Sequence, residues 1–382
     1  RKVIVKDMTE SFYPEKPLVP FIKVTQDRVV LEIQRGCIRG CRFCQAGMVY
    51  RPVRERSLDR LQDLAAKMLE NSGHEEISLS SLSSSDYSGI EPLVNGLIED
   101  CRNRKVNISL PSLRIDAFSL DVMSKVQDVK KSSLTFAPEA GTQRLRNVIN
   151  KGLTEENILN GAAEAFRGGW SKVKLYFMLG LPTETDEDVL GIADVAARVM
   201  HAWRESAQNK QRGVRITVST SWFVPKPHTA FQWEPQISKA EYERRVALLR
   251  EAIKTKTVTY NWHDAETSVL EGVIARGDRR QGRAILLAWQ RGCKMDGWDQ
   301  CFDFEKWIQA FRDCGLDPEF YASRQRPMDE VFPWDHIGCG TRKEHLKREW
   351  ERSREAVITP DCMHQCAGCG ASALLKGGKC RV

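Results

Sequence analysis

At 382 residues, 41% hydrophobic and 29% charged, the chain has an ordinary globular composition and is long enough for one large domain with an extension. Its formal net charge of +7 permits RNA or another acidic partner without requiring one, because a solvated basic surface gives the same balance. No apolar run approaches membrane-spanning length and no secretory signal is present, so no membrane partner is expected and the expected location is cytoplasmic. The twelve cysteines gather mainly in two places, which argues for metal ligation in a reducing compartment rather than for disulfides. Residue 1 is Arg rather than Met, as expected of a chain that is part of a longer one.

Residues 1–28, rich in proline and charge, read as an extended lead-in. Residues 29–33 form a short apolar strand that runs into a Gly-rich loop, QRGCIRGCRFCQAG, carrying Cys37, Cys41 and Cys44. The spacing of Leu61, Leu64, Ala65, Met68 and Leu69 predicts a helix over 58–70, with Ser57 as its N-cap. Strands and helices then alternate: strand 77–82, helix 90–101, strand 106–110, helix 120–126, strand 132–136, helices 142–149 and 155–167, strand 173–179, helix 186–202, strand 214–219 and helix 239–254. Six strand-then-helix units imply parallel strands with right-handed crossovers. The expected fold is therefore α/β, a partial (β/α)6 parallel barrel over 29–257. Beyond residue 258 the alternation is expected to stop. Helices 266–276, 279–291 and 304–314 make a mainly helical extension over 258–335, and 336–382 holds a charged helix and a Cys-rich tail. ARGDRRQGR, residues 275–283, is a basic helix junction open to phosphate or simply solvated.

A parallel sheet presents its chemistry at the carboxyl ends of its strands, which is where the first cysteine loop falls. Three thiols spaced three and then two residues apart, with Arg35, Arg39 and Arg42 interleaved and expected to favour thiolate, suit a soft metal or cluster. Structural zinc normally takes four protein ligands, and no fourth Cys or His lies within the loop or soon after it. A four-iron, four-sulfur cluster on three thiolates keeps one iron open for a small molecule. Three buried or zinc-binding cysteines are the plainer alternative. CxxxCxxC with Phe43 just before the last Cys resembles the opening motif of radical S-adenosylmethionine (SAM) enzymes. That resemblance implies a [4Fe-4S] cluster on Cys37, Cys41 and Cys44 that binds SAM and cleaves it to a 5'-deoxyadenosyl radical. It also implies a reductant such as flavodoxin or ferredoxin as partner.

The other strand ends can be set beside the same family. SSLSSSDYSG offers Ser83, Ser84, Ser85 and Asp86, of which a helix N-cap would explain only one. In the family this place holds the methionyl amino group, commonly through a Gly-Gly-Glu-like turn from which this sequence departs. LPSLRIDAF supplies Arg114 and Asp116. FAPEAGTQRLRNVINKG resembles the family's Glu-Ser-Gly turn, which implies a cosubstrate contact for Glu139 and, through its carboxylate, for Lys151. Interaction of both residues with helix dipoles is the plain reading. FMLGLPTETDED resembles a Gly-Leu-Pro-Gly-Glu-Thr segment, in which Gly180 allows close backbone approach and Thr185 caps the next helix; architecture comes first and cosubstrate binding second. In WFVPKPHTAFQW, His228 with Trp222, Phe223 and Trp233 are candidates to line a substrate cavity, though a structural hydrogen-bonding role is commoner for a lone His.

The tail segment DCMHQCAGCG repeats the first spacing with Cys362, Cys366 and Cys369, and Cys339, Cys380 or His364 could be a fourth ligand. A metal is expected here: zinc in a structural site, or a second iron-sulfur cluster for electron relay, substrate anchoring or sulfur supply. From the first loop to the terminal cysteines the chain resembles a group of radical SAM proteins that carry an upstream cobalamin-binding domain. No such domain is visible in this sequence. The resemblance implies hydrogen abstraction from a C-H bond, with cobalamin-dependent methyl transfer as the leading outcome and methylthiolation of RNA or protein, using a second cluster, as the alternative. A reading from another class is a non-catalytic module, stabilised by metal, that binds RNA or protein.

Overall fold

The computed structural model describes residues 2–101, 104, 106–109, 134–211, 213–375 and 380. Its strands are β1 (Val29–Glu32), β2 (Gln34–Arg35), β3 (Arg54–Glu55), β4 (Glu76–Ser80), β5 (Asn107–Ser109), β6 (Leu134–Glu139), β7 (Lys172–Leu179), β8 (Arg215–Trp222) and β9 (Val258–Trp262). Two parallel sheets carry the α/β core, one ordered β1-β4-β5 and the other β6-β7-β8-β9, while β2 and β3 pair antiparallel beside the first loop. All six predicted strands are present in the partial barrel. The alternation continues one strand further than the sequence reading: β9 adds parallel to β8, with Val258 opposite Ile216. Only Val258 of its five residues is buried, so the apolar pattern was too thin to mark it. The predicted helix 120–126, with Arg114 and Asp116, lies outside the described residues.

Each sheet face is set by side-chain alternation with a period of two. In β7, Val173, Leu175, Phe177 and Leu179 are buried while Lys174, Tyr176 and Met178 are half-buried. The buried row packs on Ile158, Ala162 and Phe166 of helix Glu155–Arg167 and on Val189, Ile192 and Val195 of helix Asp186–Ser206. Val29 and Leu31 of β1 pack likewise on Leu61, Leu64 and Met68 of helix Leu58–Ser72. Each such side chain contributes roughly 1.5–3 kcal/mol on burial. Thr185 caps its helix as expected, forming a capping box with Asp188, and Thr154 with Asn157 forms a second box that the sequence reading did not include. Ser57 stands at the N-cap of helix Leu58–Ser72 but makes no side-chain cap bond; its backbone N-H donates to Thr9 Oγ1 at 2.9 Å. At Gly141 a Cβ would lie 2.3 Å from the Asp188 carbonyl, so glycine lets the turn after β6 sit against helix Asp186–Ser206.

Helices Ala265–Ala275, Gln281–Gln290 and Phe304–Asp313 pack around Val273, Ala284 and Phe311 as a core of their own. Helix Lys343–Arg354 then packs against the short helix Gln143–Val148 and returns the tail to the carboxyl ends of the strands. Among the described residues no helix is long and apolar enough to cross a membrane.

Candidate functional site

The first cysteine loop starts at Gly36, whose φ of +97° and close approach to Tyr50 O, 2.8 Å from where a Cβ would stand, require glycine. Cys41 is buried, and Cys37 and Cys44 are partly buried. Backbone N-H groups of Arg39 and Gly47 donate to Cys37 Sγ at 3.4 Å and to Cys44 Sγ at 3.3 Å, the second bond also capping helix Gln45–Val49. Burial pushes the Cys37 thiol up to about 12 and raises that of Cys44, with the neighbouring Cys41 adding to both. Thiols this desolvated give up their protons only when a metal takes their place, so loading the loop releases protons.

The interleaved arginines, expected to favour thiolate, are committed to other partners. Arg35 forks onto Glu32, with bonds of 2.7 and 2.6 Å. Arg39 holds Asp86 through Nε at 3.0 Å and through Nη2, and donates from Nη1 to Asp361 Oδ2 at 2.9 Å. Arg42, fully buried, bonds Glu349 at 3.1 Å, Val148 O at 3.0 Å and Val357 O at 2.7 Å. The cation that does favour thiolate at Cys44 is Lys151, and the charge opposing it is Glu139. Lys151 Nζ lies 3.1 Å from Glu139 Oε1, so these two predicted residues meet beside the loop. Glu139 ends β6 after a register break and has φ 70°, a left-handed backbone that a non-glycine residue adopts at a cost.

The remaining predicted contacts divide. Ser84 is fully buried and its hydroxyl lies 3.0 Å from that of Ser81, Asp86 is held by Arg39, and Ser85 stays half-buried. Phe43 packs on the apolar cluster of Ala140, Leu145, Leu181 and Phe223. Gly180 has φ +88° and donates its N-H to Glu184 Oε2 at 2.7 Å. Glu184, which sequence reasoning missed, is raised to about 7 by burial against the opposing pull of Gly180 N-H and Arg245.

A cavity of about 770 Å³ opens beside Gln45, Ala46 and Tyr50, directly after Cys44, and is lined also by His228, Arg279 and Trp334. Of the four aromatic-loop candidates only His228 reaches it. Trp222 borders a separate cavity of about 620 Å³, and Phe223 and Trp233 are core residues. His228 has φ 59° and its pKa is lowered by burial.

The tail cysteines come to the first loop. Cys362 N-H donates to Ile38 O at 3.2 Å, and Asn150 donates to both Gly40 O and Thr359 O at 3.1 Å. Cys362, Cys366, Cys369 and Cys380 lie within electrostatic reach of one another. Cys339 stands apart: its thiol points to Thr341 O at 3.9 Å, and it lines the larger cavity. His364 is turned onto Asp361, 2.8 Å away, with its ring mostly exposed. Among the described residues, no three Cys, His, Asp or Glu side chains are gathered into a single-ion cage.

A family model for the radical SAM superfamily matches residues 31–196, from β1 into helix Asp186–Ser206. The uncharacterized protein MJ0966 of Methanocaldococcus jannaschii is 33% identical over 324 residues, 82% of this chain and 69% of its own length. The chain belongs to the radical SAM superfamily. A putative methylthiotransferase of the same organism, MJ0865, is 24% identical over 169 residues, 42% of this chain and 37% of its own length. Among solved structures, the radical SAM methyltransferase TsrM from Kitasatospora setae matches with a TM-score of 0.40 at 11% identity, covering 86% of this chain and 60% of that one, a likeness too loose to carry an argument about chemistry. Radical SAM proteins hold SAM on a [4Fe-4S] cluster. The first loop fits that group, because three thiols share one buried turn, two of them receive backbone N-H bonds, and an ammonium stands beside Cys44.

Proposed function

We propose that this protein reductively cleaves SAM at a [4Fe-4S] cluster on Cys37, Cys41 and Cys44 and modifies a substrate C-H bond. The observation that supports this best is the meeting of three separate segments, the loop after β1, Glu139 at the end of β6, and Lys151, around Cys44. When bound, the cluster and SAM, with one electron from a flavodoxin- or ferredoxin-like donor, break the sulfur-C5' bond to give methionine and a 5'-deoxyadenosyl radical. Lys151 offers its ammonium to the carboxylate of the methionyl group and Glu139 accepts from its amino group. Phe43 and the apolar residues it packs on keep water from that side of the site, which a primary radical requires. The cavity beside Gln45 and Tyr50 is the space for substrate, with His228 on its wall. The protein works in a reducing, cytoplasmic setting.

In the finer reading the substrate radical accepts a methyl group, with cobalamin held by a domain outside these residues; the sequence resemblance to cobalamin-carrying radical SAM proteins supports it. Methylthiolation of RNA or protein is a second reading, favoured by the name of the 24%-identical relative and by the second cysteine set. Anaerobic reconstitution followed by dithionite reduction tests the core claim. Wild type is expected to release 5'-deoxyadenosine, and the Cys37→Ala/Cys41→Ala/Cys44→Ala variant none. An iron-loaded wild type that leaves SAM intact refutes it. With substrate, labelled SAM separates the outcomes: the product gains a methyl group alone or a methyl group with sulfur.

A further inference from the structure

We infer that Cys362, Cys366, Cys369 and Cys380 hold a second iron-sulfur cluster seated on the first cysteine loop, with Arg51 as a buried cation shared by the two sites. The placement comes from three independent ties. Asp361 is held by Arg39 at 2.9 Å, the Cys362 N-H donates to Ile38 O at 3.2 Å, and Thr359 exchanges two bonds with Asn150, at 2.9 and 3.1 Å. A segment with little regular structure, whose contact residues lie more than two hundred positions from their partners, is thus fixed beside Cys37, Cys41 and Cys44. Ordering such a segment costs conformational entropy, which a bound inorganic core offsets.

Arg51 is the second observation. It is 4% exposed, and it donates to Gly47 O at 3.0 Å and to Arg39 O at 2.7 Å. Its guanidinium faces Cys362, Cys369 and Cys37. Nη1 is fully enclosed and makes no hydrogen bond of ordinary geometry, and the guanidinium's side-chain neighbour there is the Cys369 thiol. A buried donor left without an acceptor costs about 1–3 kcal/mol, and the sulfur of a ligated cluster is an acceptor suited to that position. A cluster on four thiolates carries net negative charge, which a guanidinium between two such sites compensates.

The fourth ligand is Cys380 rather than Cys339. Cys380 lies close enough to Cys362, Cys366, Cys369 and Arg51 to interact with all four, whereas the Cys339 thiol faces Thr341 O at 3.9 Å on the wall of the larger cavity. The choice of an iron-sulfur core over a lone zinc rests on the radical SAM reading of the first loop. Both triads have the same three-then-two spacing.

The test is anaerobic reconstitution of the whole chain, with iron, acid-labile sulfide and zinc counted and reduced samples read by EPR. Wild type should carry about eight iron and eight sulfide, and the Cys37→Ala/Cys41→Ala/Cys44→Ala variant about four of each, with an EPR signal of its own. Iron retained there shows the second site even if SAM cleavage fails, and so separates this inference from the proposed function. Cys362→Ser/Cys366→Ser/Cys369→Ser should keep about four iron, with circular dichroism reporting its fold. Should that variant unfold, single substitutions decide: Cys380→Ser loses or alters the second EPR signal and Cys339→Ser leaves it unchanged. Arg51→Gln, which removes a positive charge, should lower the midpoint potential of that signal. Wild type with about four iron, or with one zinc lost on changing the tail cysteines, overturns the inference. The reverse result for Cys339 and Cys380 overturns the ligand set, and an unmoved potential overturns the shared cation.

Discussion

Cys37, Cys41 and Cys44 follow directly on a parallel strand, in a loop whose path is fixed by β1, by the β2-β3 pair and by Gly36. Cys362, Cys366 and Cys369 share that spacing but follow no strand; their segment leaves helix Lys343–Arg354 through a turn at Ala356 and is held by side chains of the first loop and its neighbours. One loop is positioned by backbone ladders and the other chiefly by the side chains of Arg39, Arg42 and Asn150, with isolated backbone bonds such as Cys362 N-H to Ile38 O. Identical spacing therefore says which chemistry a cysteine set suits, while the neighbouring polar side chains decide where the set stands. If that contrast is right, the tail can be loosened without touching a strand.

The largest effect is expected at Arg42. Its side chain is 0% exposed and its Nε bonds Glu349, itself 4% exposed, at 3.1 Å. Arg42→Met leaves the buried Glu349 carboxylate with Thr359 and the more distant Arg352 but without its closest cation, and breaking such a pair costs about 3–5 kcal/mol. Urea unfolding should show that loss, and limited proteolysis should cut the tail sooner. Replacing both partners, Arg42→Met with Glu349→Met, should recover much of the stability, because no buried charge remains. A single variant within about 1 kcal/mol of wild type would mean that the tail is held by something else.

Asn150 comes next. It is buried, sits at φ 51° and binds Gly40 on one side and Thr359 on the other through three bonds of 2.9–3.1 Å. Asn150→Gly keeps the left-handed backbone accessible and removes the amide, so its cost of about 1–3 kcal/mol measures the tether free of steric strain. Asn150→Ala adds that strain and should be worse. Equal stability of the two variants in urea would remove the left-handed backbone from the account.

The fold was largely legible because its signals are local. Apolar runs bounded by Gly and Ser, the helix with Thr185 at its start, and the strand-helix alternation all follow from short-range patterns. β9 escaped because it buries one residue of five. The spacing of the first cysteine set stands in the sequence, and so does the turn after β6 that carries Glu139 and Lys151, while their meeting at 3.1 Å is a product of the fold. The pairing of Arg39 with Asp361 and of Arg42 with Glu349 was not, because each joins residues more than three hundred positions apart and no periodicity marks a partner at that distance. The same limit made the arginines look like thiolate partners; sequence shows a charge and its neighbours along the chain, while burial and the folded partner decide what the charge does.

Arg35 provides the smallest effect and the sharpest control. It belongs to the same loop as Arg39 and Arg42 and carries the same charge, but its side chain is 38% exposed and it pairs with Glu32 three residues away. Exposed pairs of this kind contribute about 0.2–1 kcal/mol, because water and ions compete for both partners. Arg35→Ala should therefore cost less than about 1 kcal/mol in urea unfolding and leave the proteolytic pattern of the tail as in wild type. Because Glu32 is only partly buried, the carboxylate left behind is rehydrated instead of stranded, which is the difference from Glu349. A loss at Arg35 as large as that at Arg42 would show that the loop's positive charges act collectively, through the field they create around the cysteines, and burial would no longer separate the residues that anchor the tail from those that only border the loop.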